Sequence, residues 1–204
     1  MEFLKILEFF LLPLFAYLLG SVPWGLILTR IFTSQDITQK GSGNIGATNV
    51  RRVAGTTLGL LTLLGDISKG AVPVYIAISM TGLNDMRGEL FVSLVSLSAF
   101  SGHLCPVFTK FKKGGKGVAT AAGCFLVISP MACFVTVLVF ILFICWQDRV
   151  SVSSLAAAAV LPVAVWEAVH SEIITGCAVI ITLFIYLRHK DNIRRILSGT
   201  ELTG

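Results

Sequence analysis

Six long apolar runs dominate the sequence, at Phe9–Phe32, Thr57–Thr81, Leu90–Phe108, Gly117–Gln147, Ser151–Val169 and Ile173–Leu187. Runs of about 20 such residues fit a bilayer as spanning helices, because a helix satisfies its own backbone polar groups where no water can. The Gly117–Gln147 run is too long for one crossing. At roughly 1.5 Å per residue it would extend about 46 Å, against a hydrocarbon core of about 30 Å. Ser129-Pro130 lies inside it, and proline breaks or kinks a helix. Two helices are therefore predicted there, a short one to Ser129 and a longer one after it. The expected fold is an all-α integral membrane protein with seven transmembrane helices, one polytopic unit over residues 1–204.

Composition supports this reading. Of the 204 residues, 55% are hydrophobic and 13% charged, against about 25% charged in ordinary soluble domains. Mean hydropathy is +0.86. A disordered chain, a coiled coil and a soluble globular enzyme are excluded. The formal net charge is nevertheless +5. Seven alternating crossings put Arg30, Lys40, Arg51, Arg52, Lys110, Lys112, Lys113, Lys116, Arg149, Arg188, Lys190, Arg194 and Arg195 on one side, 13 of the 16 basic residues, leaving Lys5 and Arg87 on the other. Six crossings would send the basic tail to the opposite face. Cationic loops stay inside, so the expectation is an outside N-terminus and a cytoplasmic C-terminus. The N-terminus, with Lys5 between Glu2 and Glu8, does not read as a cleaved signal peptide. Cys105, Cys124, Cys133, Cys145 and Cys177 form no C-x-x-C pair. They read as small buried hydrophobes rather than disulfides or a zinc site.

The loops carry the chemistry. Gly41-Ser42-Gly43-Asn44-Ile45-Gly46-Ala47-Thr48-Asn49-Val50-Arg51-Arg52 contains a formal G-x-G-x-x-G. A membrane helix and a polar loop precede it, so it is no dinucleotide fingerprint, which needs a preceding strand. Three glycines still let backbone N–H groups turn toward an anion, Ser42, Thr48 and Asn49 add neutral donors, and Arg52 adds a phosphate fork. The plainer reading is a juxtamembrane loop with lipid-facing arginines. Gly114-Gly115-Lys116-Gly117 opens the short apolar segment before Pro130, and a glycine-rich helix N-terminus with a lysine is an anion site. It is not a Walker A loop, since Gly117 replaces the magnesium-binding Ser/Thr. Lys110, Lys112 and Lys113 also suit anionic lipid headgroups. His103, at Gly102-His103-Leu104-Cys105-Pro106-Val107-Phe108, reads equally as an interfacial histidine.

The tail from Arg188 to Glu201 is basic, and His189 and Asn192 fall on one helical face at i,i+3. It also suits an amphipathic segment on a lipid surface. Asp66 and Lys69, inside the second run, pair at the same spacing, as an ion pair within the bundle or as support for a site. Taken together, the cationic loops call for a small anion with more than one phosphate group, beside a bundle able to hold an acyl chain.

These segments resemble the acyl-phosphate:glycerol-3-phosphate acyltransferase family, the PlsY type. The similarity lies in Gly41–Arg52, Gly102–Phe108, Gly114–Thr120 and His189–Glu201, with Leu19-Gly20-Ser21-Val22-Pro23 and Asp66-x-x-Lys69-Gly70 in addition, and it runs in order along nearly the whole chain. One departure is Lys112-Lys113 before Gly114, where the family usually reads Phe-Lys-Gly-Gly-Lys-Gly. The resemblance implies acyl transfer from acyl-phosphate to the 1-hydroxyl of sn-glycerol 3-phosphate, giving lysophosphatidic acid and phosphate. This is the first acylation of bacterial phospholipid synthesis, at a multi-pass inner-membrane protein with its site on the cytoplasmic face. Membrane lipid and a soluble acyl-phosphate-forming enzyme are the implied partners. No cofactor, metal or nucleic acid is expected.

No His-x-x-x-x-Asp pair stands at His103, His170 or His189, and no Ser-His-Asp set replaces it. Catalysis is therefore expected to rest on positioning two phosphates and screening their repulsion. Ser42, Arg52 and Lys116 are the expected catalytic residues. Gly41, Gly43, Asn44, Gly46, Thr48, Asn49, His103, Gly114, Gly115, Gly117, His189 and Asn192 are the expected substrate-binding residues. A substrate phosphate oxygen is the expected proton acceptor, with His103 or His189 as the alternative base. A transporter of a phosphorylated anion is the competing class, since short helices aimed at anions serve transport. No repeated halves accompany them here. A CDP-alcohol phosphotransferase would need clustered aspartates, and Asp36, Asp66, Asp85, Asp148 and Asp191 are scattered.

Overall fold

The computed structural model describes residues 2–202, with side chains from residue 9 onward. Ten α-helices run in order: α1 (Glu2–Gly20), α2 (Trp24–Phe32), α3 (Ala47–Ala54), α4 (Thr56–Thr81), α5 (Met86–Leu104), α6 (Val118–Ile128), α7 (Pro130–Gln147), α8 (Val150–Val169), α9 (Glu172–Arg188) and α10 (Lys190–Leu197). A 3-10 turn, Val107–Thr109, follows α5. The chain divides into two compact units, one through Cys124 and one from Phe125.

By length and composition, α4, α5, α7 and α8 can each cross a membrane. Two bent pairs, α1 with α2 and α9 with α10, raise the count to six if each is one span. The first apolar run is thus not the single straight helix expected. Val22-Pro23 opens it, because proline donates no hydrogen bond and pushes the preceding residue out of helical geometry; α1 and α2 meet at 42°. The break expected at Ser129-Pro130 is present. Ser129 caps α7 by accepting from the Ala132 N–H at 3.3 Å, with Pro130 in the first turn. The preceding α6 has only 11 residues, about 17 Å of helix, and counts among the shorter apolar helices rather than the long ones.

In the first unit α5 packs on α1 and α4, and α3 on α4. Small residues permit this closeness, as membrane helices gain their packing from contact rather than from excluded water. A methyl on Gly20 would overlap the Ala99 carbonyl of α5, and one on Gly102 would overlap the Tyr17 carbonyl of α1. In the second unit α7 packs on α8 and α8 on α9. Of α7 only Ala132 and Cys133 are buried, and Phe134, Leu138, Ile141 and Leu142 lie on its exposed surface, as suits a helix bordered by acyl chains rather than water.

Candidate active site

The segment after α2 is knotted by Asn49 of α3. Its Oδ1 accepts from the Ser42 N–H at 2.8 Å, and its Nδ2 lies within hydrogen-bonding distance of the carbonyls of Ile37 (2.9 Å), Lys40 (3.2 Å) and Asn44 (2.9 Å). Ile37 and Ile45 anchor the loop from below, buried with Leu26 and Val50. Gly41 adopts φ +60 and sits so close to Asn49 Oδ1 that a methyl would overlap it, which restricts the position to glycine.

Two groups of expected binding atoms are engaged within the loop. Asn49 is 1% exposed and its amide bonds to the loop itself. The glycine loop also keeps several of its backbone donors. Ser42 N–H goes to Asn49, Gly43 N–H to the Lys40 carbonyl at 3.1 Å, and Gly46 N–H to Asn44 Oδ1 at 2.8 Å. A tight turn satisfies its own amides first. What it presents outward is the exposed Ser42, followed in α3 by the half-buried Thr48 and Arg52.

The second loop lies on the end of α5. Gly115 N–H donates to the His103 carbonyl at 3.0 Å. The His103 ring fills the space where a Gly115 side chain would begin, and Phe100 does the same at Gly117, whose φ is +85. Gly115 therefore also gives its amide to the fold. The donors that helix geometry leaves unpaired are those of the first turn of α6, Val118 to Thr120, with the half-buried Lys116 just before them. His103 is 5% exposed, and its Nδ1 stands 3.7 Å from Asp66 Oδ1. The pairing expected of Asp66 and Lys69 is present at 2.8 Å.

The two loops meet. Lys113 Nζ donates to Thr38 Oγ1 at 2.9 Å, and Thr38 in turn donates to Asp36 Oδ1 from its hydroxyl (2.7 Å) and its backbone (2.9 Å). Those Thr38 bonds, with lesser help from the charges of Lys113 and Arg30, hold the Asp36 carboxyl below its ordinary value. One of the two lysines that mark the departure at Lys112-Lys113 thus serves as the tie between loops. Sequence reading did not assign it that role, because a contact across 75 positions leaves no local pattern.

In the second unit His189 ends α9 and is 1% exposed. Its Nδ1 lies 2.8 Å from the Ile185 carbonyl, which only accepts, so Nδ1 carries the proton. Asn192 Nδ2 donates to Glu201 Oε1 at 2.6 Å. The same oxygen accepts from Ser151 Oγ at 2.7 Å, and Oε2 accepts from Arg195 Nε at 2.8 Å. Burial alone would raise the Glu201 carboxyl. The bonds from Ser151, Asn192 and Arg195 outweigh it and hold the group below its ordinary value. Glu201 was absent from the expected site, although it closes the Gly199-Thr200-Glu201 end of the motif. Arg194 is outside this cluster, 81% exposed and 3.7 Å from Asp191.

The sequence model of the glycerol-3-phosphate acyltransferase family matches residues 10–199. A glycerol-3-phosphate acyltransferase of Syntrophotalea carbinolica is 49% identical over 195 residues, 95% of this chain and 96% of its own. One from Geobacter sulfurreducens is 43% identical, covering 91% and 92%. Among solved structures, PlsY (YgiH), an integral membrane glycerol 3-phosphate acyltransferase in its glycerol 3-phosphate form, superposes with a TM-score of 0.91 at 34% identity, covering 97% of this chain and 96% of that one. Its lysophosphatidic acid form gives 0.88 at 34% identity, covering 96% and 95%.

Proposed function

Because the chain belongs to the glycerol-3-phosphate acyltransferase family, we propose that it transfers an acyl group from acyl-phosphate to the 1-hydroxyl of sn-glycerol 3-phosphate. The observation that carries this reading is the junction of the two loops at Lys113 and Thr38. It ties the loop that carries Ser42 and leads to Arg52 to the loop that carries Lys116 and leads into α6, which supports a cationic locus suited to phosphate rather than to a proton relay. PlsY, solved with glycerol 3-phosphate and with lysophosphatidic acid, supports the same acceptor and product here.

The chemistry asks little of the protein, since acyl-phosphate is a mixed anhydride. The acceptor hydroxyl oxygen attacks the acyl carbonyl carbon. The bond from that carbon to the phosphate oxygen breaks, and phosphate leaves with the electron pair. The hydroxyl proton passes to a substrate phosphate oxygen. Arg52 and Lys116 neutralise the charge that develops, the α6 first turn adds its N–H groups, and Ser42 orients phosphate or hydroxyl. In the second unit, His189 and Asn192 are the residues proposed to bind glycerol 3-phosphate, with Asn192 oriented by Glu201.

We further propose seven crossings with the N-terminus outside, the short α6 being added to the four long helices and two bent pairs. The site then faces the cytoplasm of a bacterial inner membrane, where a soluble enzyme supplies acyl-phosphate. The test is an assay of purified protein with acyl-phosphate and glycerol 3-phosphate, against acyl-CoA as competing donor. Lysophosphatidic acid and phosphate in equal amounts, undiminished by acyl-CoA-derived transfer, are expected. Transfer from acyl-CoA alone would overturn the donor assignment.

A further inference from the structure

A charged pair buried in a membrane helix is costly and calls for a reason. Asp66 and Lys69 of α4 are 4% and 2% exposed. Lys69 Nζ bonds Asp66 Oδ1 at 2.8 Å and also donates to the Val22 carbonyl at 3.1 Å. That carbonyl belongs to the break between α1 and α2, where the helix has lost its ladder. That carbonyl also accepts the Trp24 N–H at 3.1 Å, so Lys69 is its second donor, and Asp66 balances the lysine's charge. Structural duty accounts for Lys69. It does not account for the other neighbour of the same Asp66 oxygen, His103 Nδ1, at 3.7 Å.

His103 reaches the glycine loop twice. Its carbonyl accepts the Gly115 N–H at 3.0 Å, and its ring occupies the space beneath Gly115 with Nε2 nearest. The Val22 carbonyl, Lys69, Asp66, the His103 ring and Gly115 follow one another in space, the step from Asp66 to His103 being a 3.7 Å approach rather than a hydrogen bond, and Gly115 stands one residue before Lys116. We propose that His103, seated by the Asp66–Lys69 pair, is a positioning residue that fixes the Gly114–Gly117 loop, and with it Lys116, in place. It acts through Gly115 instead of meeting the substrate. This rests on the phosphate-handling role given above to Lys116 and the α6 N-terminus.

Removing one charge would strand the other, so the pair is removed together as Asp66→Asn/Lys69→Met. Wild type, this double variant, His103→Ala and the triple variant are compared in detergent for kcat, for the KM of each phosphate substrate and for melting temperature. The double variant is expected to lose about tenfold in kcat/KM, mostly as a rise in KM for one phosphate substrate. The triple variant is expected to be no more than twofold worse than His103→Ala, because both changes break the same succession of contacts. A second comparison uses the overlap at Gly115. Gly115→Ala drives a methyl into the ring, and Gly115→Ala/His103→Ala opens that space, so the combined variant is expected to recover at least fivefold over Gly115→Ala.

Losses that multiply in either comparison, or a folded double variant within twofold of wild type, would overturn the proposal. A double variant that fails to fold overturns the part given to the Asp66–Lys69 pair, and the Gly115 comparison then decides the part given to His103. Wild type inactive with acyl-phosphate would instead defeat the donor reading. Calorimetric affinities of the same proteins for glycerol 3-phosphate and inorganic phosphate then decide the proposal. A tenfold weakening for at least one of them supports it, and unchanged affinity for both overturns it.

Discussion

Replacing Glu201 by alanine tests how the last motif is held. The carboxylate takes three donors, from Ser151, Asn192 and Arg195, at 2.6–2.8 Å. Ser151 and Asn192 are 6% exposed or less. Each buried donor left without a partner costs about 1–3 kcal/mol, so these two give about 2–6 kcal/mol. The Arg195 side chain is 38% exposed and turns to solvent, which limits its share to roughly 0–1 kcal/mol. The sum is about 2–7 kcal/mol, and at about 2–4 °C per kcal/mol for a chain of this size it lowers the melting temperature by roughly 4–28 °C. Glu201→Gln keeps an acceptor for Ser151 and Asn192 and gives up only the ionic part, so it falls near the lower end. The assay is tryptophan-monitored melting in detergent micelles at pH 7.5, with acyl transfer measured on the folded fraction. Glu201→Ala melting within 2 °C of wild type, with unchanged turnover, would refute the reasoning. The sign with pH also follows. A carboxyl whose folded value lies below its unfolded one stabilises fully above the unfolded value of about 4.3. It loses that contribution as pH falls through the folded value. Wild type should therefore show no Glu201-dependent change between about pH 6 and 8 and a loss only in acid, a dependence absent from Glu201→Ala.

Arg52→Ala and Lys116→Ala should each lower kcat/KM about 100–1000-fold, equivalent to about 2.7–4 kcal/mol of transition-state stabilisation, while Arg194→Ala, on the exposed face of α10, stays within a few-fold; steady-state acyl transfer checks all three. Asn49→Ala should cost about 1–3 kcal/mol of loop stability and admit proteolytic nicking between residues 33 and 46. Asn49→Asp should not rescue it, since a carboxylate cannot donate to the Ile37, Lys40 and Asn44 carbonyls. With a substrate phosphate as proton acceptor, any fall in kcat toward pH 6 should follow the phosphate monoester's own titration at about 6 and persist in His103→Gln and His189→Gln, and a titration lost in either variant would restore that histidine as base.

The proline signals were read with uneven success, for a physical reason. Pro130 sits after a good cap, Ser129, in a run too long for one crossing, so length and chemistry agreed. Pro23 sits in a run of ordinary spanning length, and nothing in that run announces a 42° break. Its stability depends on Lys69 reaching the Val22 carbonyl across 47 positions. Glycines were legible as special but not as to purpose. Gly41 serves a left-handed turn around Asn49, whereas Gly115 serves close contact with His103, and no local pattern separates the two.

The sequence by itself determined the membrane class, the helical fold, the charge bias and the family, because these rest on runs, counts and motifs that survive any arrangement in space. It also marked Ser42, Arg52 and Lys116. Tertiary structure alone decided that Asn49 and Gly115 bond within the fold and that Lys113 and Glu201 act as ties. Those roles are set by distances of about 3 Å between residues far apart in the chain, and a hydrogen bond depends on separation in space, not in sequence.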